Sequence, residues 1–200
     1  MTRDEEIQIV HGGKKHLVLL GAGASLAATL RNPEKGKTKL PLMNNIIEVV
    51  GLQNVVNQLP EELKSLQENF EKFYSVLCSY ESIIDEREYI EEKIYEYFEK
   101  MDLPDEPTIY DYLILSLRHD KDVIATFNWD PFLYKAYLRN SKFTPPPGIL
   151  FLHGNVSIGY NSFNKTTGPS GWTCKQTLKD FSPKNSCILL KRKTIIRRNI

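Results

Sequence analysis

Three short polar clusters stand at the ends of apolar runs, and each carries groups able to do chemistry. The first is "GAGAS", Gly21 to Ser25. Gly21 and Gly23 let a backbone turn tightly and approach a phosphate. A helix that follows presents its N–H groups and positive dipole end to the anion, and Ser25 adds a hydroxyl. The second is "TFNWD", Thr126 to Asp130. An asparagine both donates and accepts, so Asn128 can hold a ribose hydroxyl or a water. Asp130 can take an amide N–H or face a developing positive charge. It also stands where a helix N-cap is favoured, because Pro131 suits a first helical position. The third is "HGN", His153 to Asn155. Histidine moves protons near neutral pH, and Gly154 leaves room beside the imidazole. Each cluster has a plain structural reading as well: a tight turn, a helix cap, a hydrogen-bonded histidine.

The glycine turn fits neither common phosphate motif. The dinucleotide fingerprint needs a third glycine where Leu26 stands, and an acidic residue ending a second strand about 20 residues on. Glu48 lies near that distance but inside a helical stretch. No Gly-Lys-Ser/Thr follows, so the turn is not a P-loop either.

The order of elements is what can bring the clusters together. Leu17 to Leu20 reads as a short buried strand ending at Gly21. From Leu42 to about Met101 the pattern is helical, with Leu63, Leu66, Phe70, Phe73, Tyr74 and Leu77 at three- and four-residue spacing. Ile90, Ile94, Tyr97 and Phe98 repeat it, and Pro104 and Pro107 punctuate its end. A helix over 108–119, a strand over 122–127, a helix over 131–140 and, over 149–156, a strand running into a turn follow. Strand, helices, strand, helix, strand is the order of an α/β domain with a parallel sheet and crossover helices. In such sheets ligands bind beyond the carboxyl ends of the strands, where all three clusters fall.

Composition bounds the rest. A chain of 200 residues with 41% hydrophobic and 26% charged residues suits one globular domain, 1–200, with a helical insertion over 44–103. The net charge of +1 gives no case for a nucleic-acid or membrane surface. No apolar run approaches the roughly 20 residues that cross a bilayer. The polar start "MTRDEEIQIV" is not a secretory signal, and Cys78, Cys174 and Cys187 form no disulfide framework, so a reduced, cytoplasmic protein is expected.

"GAGAS", "TFNWDPF" and "LHGNV", in this order with a helical insertion after the first, resemble the sirtuin-like family. The similarity spans roughly residues 16 to 160 and is nearest to the bacterial branch whose members cleave NAD in antiphage defence. It implies a Rossmann-like domain that takes NAD as substrate. It implies that Ala22, Gly23 and Ser25 meet the NAD phosphates, with Gly21 and Thr126 beside them. Asn128 would hold the nicotinamide ribose and position water, Asp130 would lie near the carboxamide, and His153 would act as general base. Trp129 matches a variable position and is read as packing. Sirtuin deacylases carry a four-cysteine zinc module, and three scattered cysteines cannot build one, so no zinc is expected and NAD hydrolysis is favoured over protein deacylation. A zinc-free deacylase and a non-catalytic NAD- or ADP-ribose-binding module stay open. A homo-oligomer or a defence-system partner is in keeping with the family.

The tail over 185–200 departs from the resemblance and is basic, with five Lys/Arg in its last ten residues. It reads as a solvated tail, as an edge strand at "CILL", or as the product of a frameshift near Lys184. A permitted back-translation of "NSCILLKRKTII", read from the last base of the Asn185 codon, encodes "LLYPVKKKNY", and relatives of the family carry "LYPVK-K-Y" soon after their His-Gly strand. On that reading the domain is C-terminally truncated, its sheet faces are partly uncovered, and the chain is an inactive or weakly active fragment.

Overall fold

The computed structural model describes residues 1–11, 13–29, 40–161, 166–169 and 194–196. Three parallel strands form its centre: β1 (Leu17–Leu20), β2 (Val123–Thr126) and β3 (Gly148–Phe151), with β2 in the middle. Leu20 pairs with Thr126 and Thr126 with Phe151, so the three strands finish level. The mixed α/β architecture is compatible with a Rossmann-like fold, as the element order predicts.

Helix α1 (Arg3–His11) precedes β1, and α2 (Ala22–Thr29) follows it. Four short helices come next: α3 (Ile46–Val50), α4 (Gln53–Val56), α5 (Glu61–Lys64) and α6 (Phe70–Leu77). A 3₁₀ turn (Glu81–Ile83) runs into the long α7 (Ile84–Glu99). Helix α8 (Ile109–Ser116) leads to β2, and α9 (Phe132–Asn140) connects β2 to β3. Thr108 and Asp111 close a capping box at the start of α8. A small antiparallel pair, β4 (Ile158–Asn161) and β5 (Thr166–Pro169), lies after β3.

The helical spacing of apolar residues runs unbroken from Leu63 to Leu77, but the chain breaks between α5 and α6. Asn69 is the reason: its side chain accepts from the Lys72 N–H at 3.1 Å and starts a new helix. The insertion still buries its apolar faces as expected. Phe70, Phe73, Leu77, Ile90, Ile94 and Phe98 join one core with Phe132 and Phe151. Trp129 is the hinge of that core, its ring meeting Phe70 at 5.9 Å and Phe98 at 6.3 Å, both edge-on.

Two further expectations change. β1 reads as buried, yet Leu17 and Leu19, which share one face of the strand, are each 61% exposed, because no described element covers that face at this edge of the sheet. Ile124, Ile149 and Phe151 on its neighbours are buried. In the tail, Thr194–Ile196 forms β6, antiparallel to β3 on the far edge of the sheet. "CILL", Cys174 and Cys187 lie outside the described residues. Among the described residues no helix is long and apolar enough to cross a membrane.

Candidate functional site

The level strand ends place the three clusters side by side, and two of them join in a buried hydrogen-bond network. The Phe127 N–H donates to the Leu20 carbonyl at 3.1 Å, carrying the β1–β2 ladder one residue past the strands. Asn128 then turns its amide inward. Its two Nδ2 hydrogens serve three acceptors, one of them shared: the Gly21 carbonyl (2.9 Å), the Ser25 Oγ (2.8 Å) and the Tyr110 hydroxyl (3.2 Å). Ser25 Oγ donates to Asp130 Oδ2 at 2.6 Å, which orders the remaining proton: Tyr110 gives its own to Ser25, also at 2.6 Å. Ser25, Tyr110, Asp130 and Asn128 are all buried.

The turn that carries Asn128 is clamped from the next strand. Asn155 Nδ2 donates to the carbonyls of Asn128 (3.3 Å) and Asp130 (2.6 Å), and the Val156 N–H donates to the Trp129 carbonyl at 3.0 Å. Three consecutive carbonyls are thus held by the segment after His153. Thr126 Oγ1 accepts from the Asn128 N–H at 3.0 Å, so Thr126 shapes the same turn from below.

Burial pushes the Asp130 carboxyl up to about 6, against the hydrogen bonds from Ser25 and from the Phe132 N–H that favour its ionised form. Burial, and the Asp130 carboxylate nearby, likewise hold the Tyr110 phenol above its ordinary value. The Phe132 N–H meets Asp130 Oδ1 at 3.2 Å at the start of α9. Asp130 therefore performs the capping role as well, and both its oxygens already hold an internal donor.

A cavity of about 430 Å³ opens between the strand ends and the helical insertion. Ala22, Asn128, Asp130 and His153 line it from the sheet side, Glu71 and Phe98 from the helices. Its size falls among small-molecule pockets, roughly 300–1,000 Å³. With Asn128 Nδ2 committed inward, the amide oxygen is the atom Asn128 has for this cavity. His153 stands in the turn after β3, where Gly154 takes φ 83°. Its ring lies 5.0 Å from Phe127, and its Nδ1 is 3.7 Å from Glu71 Oε1.

No protein-family model and no curated protein matches this chain.

Of the residues expected to act together, Asn128, Asp130, His153 and Ala22 share the cavity, whereas Gly21, Gly23, Ser25 and Thr126 do not line it. Ser25 is fully buried and faces the network rather than a phosphate. A Cβ added at Gly21 or Gly23 would meet no atom of the described residues within 4 Å, and neither glycine has a positive φ. The protein's own packing does not demand glycine there, and the space before the first turn of α2 is open. Trp129 packs as expected, although its buried indole N–H has no hydrogen-bond partner among the described residues. No group of three His, Cys, Asp or Glu side chains among the described residues could hold a metal ion.

Tyr110 is the member that the sequence does not announce. It sits in the apolar stripe of α8 with Ile114, and a buried tyrosine in such a stripe needs a partner for its hydroxyl. Tyr110→Phe keeps the ring and removes that donor from Ser25, and is expected to cost about 1–2 kcal/mol in urea unfolding. An unchanged midpoint would show that the hydroxyl adds nothing to the network.

Proposed function

We propose that this chain is a sirtuin-like NAD⁺ hydrolase, acting in antiphage defence as the resemblance implies. The observation that carries the reading is the convergence of the pinned Asn128 amide and His153 on one cavity at the carboxyl ends of adjacent parallel strands. That is where open α/β sheets hold nucleotide ligands.

The chemistry needs few groups. The bond between C1′ of the nicotinamide ribose and the ring nitrogen breaks, and its electron pair neutralises the pyridinium. Water adds to the oxocarbenium-like C1′ and its proton leaves, giving ADP-ribose, nicotinamide and H⁺. In this scheme the Asn128 oxygen accepts from a ribose hydroxyl or from that water, and His153 takes the proton. Pre-ordering by Ser25, Tyr110 and Gly21 means that Asn128 need not reorganise during the reaction. The apolar side of the cavity, Phe98 with Trp129, suits a flat ring that becomes neutral on release.

Asp130 enters this scheme mainly as a support, since a substrate amide would be a second partner for an oxygen already bonded. The test is nicotinamide release from NAD⁺ by the wild-type chain, Asn128→Ala and His153→Ala. Release that both substitutions remove is the expected result. Release that survives both would place the chemistry elsewhere, and NAD⁺ binding without release would favour a non-catalytic module.

A further inference from the structure

We propose that Glu71 is a positioning residue for His153, so that the helical insertion sets the tautomer of the base: the proton is held on Nδ1 and the Nε2 lone pair is left for the cavity. The inference rests on the reading of His153 as the base and names a group in the insertion that acts through it.

Glu71 is placed by its neighbours rather than by chance. Phe70, next to it, is buried and set edge-on against Trp129, the residue after Asn128. The Phe70 N–H donates to the Met43 carbonyl at 3.1 Å, and Asn69 caps the helix from the other side. The first turn of α6 is therefore fixed against the strand-end turn that carries Asn128. From that turn the Glu71 carboxylate reaches His153 Nδ1 at 3.7 Å. The start of a helix also favours a negative side chain.

Among the described residues, Glu71 is the charged side chain that meets His153. The ring of Phe127 is an apolar neighbour. Besides His153, the titratable groups lining the cavity among the described residues are Glu71 and Asp130, and Asp130 is engaged by Ser25 and Phe132. Glu71 is 59% exposed at its side chain, so its rotation can close the gap to a hydrogen bond. Bonds of this kind are often long before substrate is bound. A carboxylate only accepts, so Nδ1 must donate and Nε2 carries the lone pair. Which ring nitrogen is free is set by what the other one meets.

Nitrogen-15 NMR of the imidazoles reads this directly, at a pH of about 8.5 where imidazoles are neutral. The chain has four histidines, and His153→Gln assigns the signal. The Nδ1–H form is expected in the wild type and in Glu71→Gln, whose amide oxygen still accepts. Glu71→Lys places an ammonium donor there and is expected to move the proton to Nε2, with Glu71→Ala in between. An Nε2–H wild type, or a tautomer that Glu71→Lys leaves unchanged, overturns the proposal. Nicotinamide release separates the two readings. Glu71→Lys should lower kcat by at least roughly tenfold with KM unchanged, a part of the 10²–10⁴ that a general base supplies. If the wild type releases none, NAD⁺ hydrolysis fails while the tautomer result stands on its own.

Discussion

Asn128→Asp is expected to destabilise the fold by about 3 kcal/mol in urea unfolding at neutral pH, and Asn128→Ala by only about 1–2 kcal/mol. The order follows from what each change leaves behind. Asp replaces a donor that serves three oxygens with one more acceptor, facing the Gly21 carbonyl and linked through Ser25 to a second carboxylate, Asp130. Two buried carboxylates sharing one hydroxyl cannot both stay ionised cheaply. Alanine is milder because Tyr110 and Ser25 still bond to one another and the Gly21 carbonyl still accepts from the Ala24 N–H at 3.0 Å. Activity should rank the two losses differently. Asn128→Ala removes the oxygen that faces the cavity, and nicotinamide release is expected to fall by about 10²–10³ with little loss of fold. An alanine variant less stable than the aspartate variant, or one that keeps its release, would contradict this account of Asn128.

Raising the pH from about 3 to about 7 is expected to weaken the fold through Asp130, by about 3 kcal/mol in all, most of it between about 4 and 6. An unfolded chain ionises this carboxyl near its usual value of about 3.9, whereas the folded chain keeps the proton until about 6. Between those values the unfolded state has already released a proton that the folded state still holds. The contribution is therefore fully present below the unfolded value and lost as pH rises through the folded one. Asp122 behaves in the opposite sense. Burial alone would raise it, but the Arg118 N–H, Lys121 and His16 outweigh burial and hold it at about 2. Its contribution is present above the unfolded value and lost as pH falls through the folded one. The difference in urea stability between wild type and Asp130→Asn, measured from pH 3 to 8, isolates the Asp130 part. A difference that is flat between pH 4 and 6 would show that the carboxyl titrates normally in the fold.

The three clusters could be found in the sequence because a parallel strand announces itself as a short apolar run and the polar residues that end it stand out. Their meeting then follows from fold class, and the register of Leu20, Thr126 and Phe151 is its structural counterpart. What could not be read is which way each side chain points. "GAGAS" makes Ser25 look like a phosphate ligand, but its position on the inner side of α2 turns the hydroxyl toward Asp130. Tyr110 and Glu71 were hidden for a different reason. Both lie in amphipathic helices whose periodicity explains them fully without a site, and only tertiary packing brings them to Asn128 and His153. The break at Asn69 was masked in the same way, since the apolar spacing runs on across it.

The pairing of β1 with β2 has a consequence for how the chain is made. His16 and Asp122, at the start of the two strands, are 106 residues apart. Synthesis at roughly 5–20 residues per second separates their emergence by about 5–20 s. Throughout that interval β1 has no sheet to join, and the helical insertion is the first segment able to collapse, through contacts close in sequence. The strand that waits is also the one whose Leu17 and Leu19 stay exposed in the folded chain. An unpaired apolar strand is a template for the wrong partner. The same connection that lets a whole helical module reach the cavity thus makes the nascent chain depend on that module closing quickly.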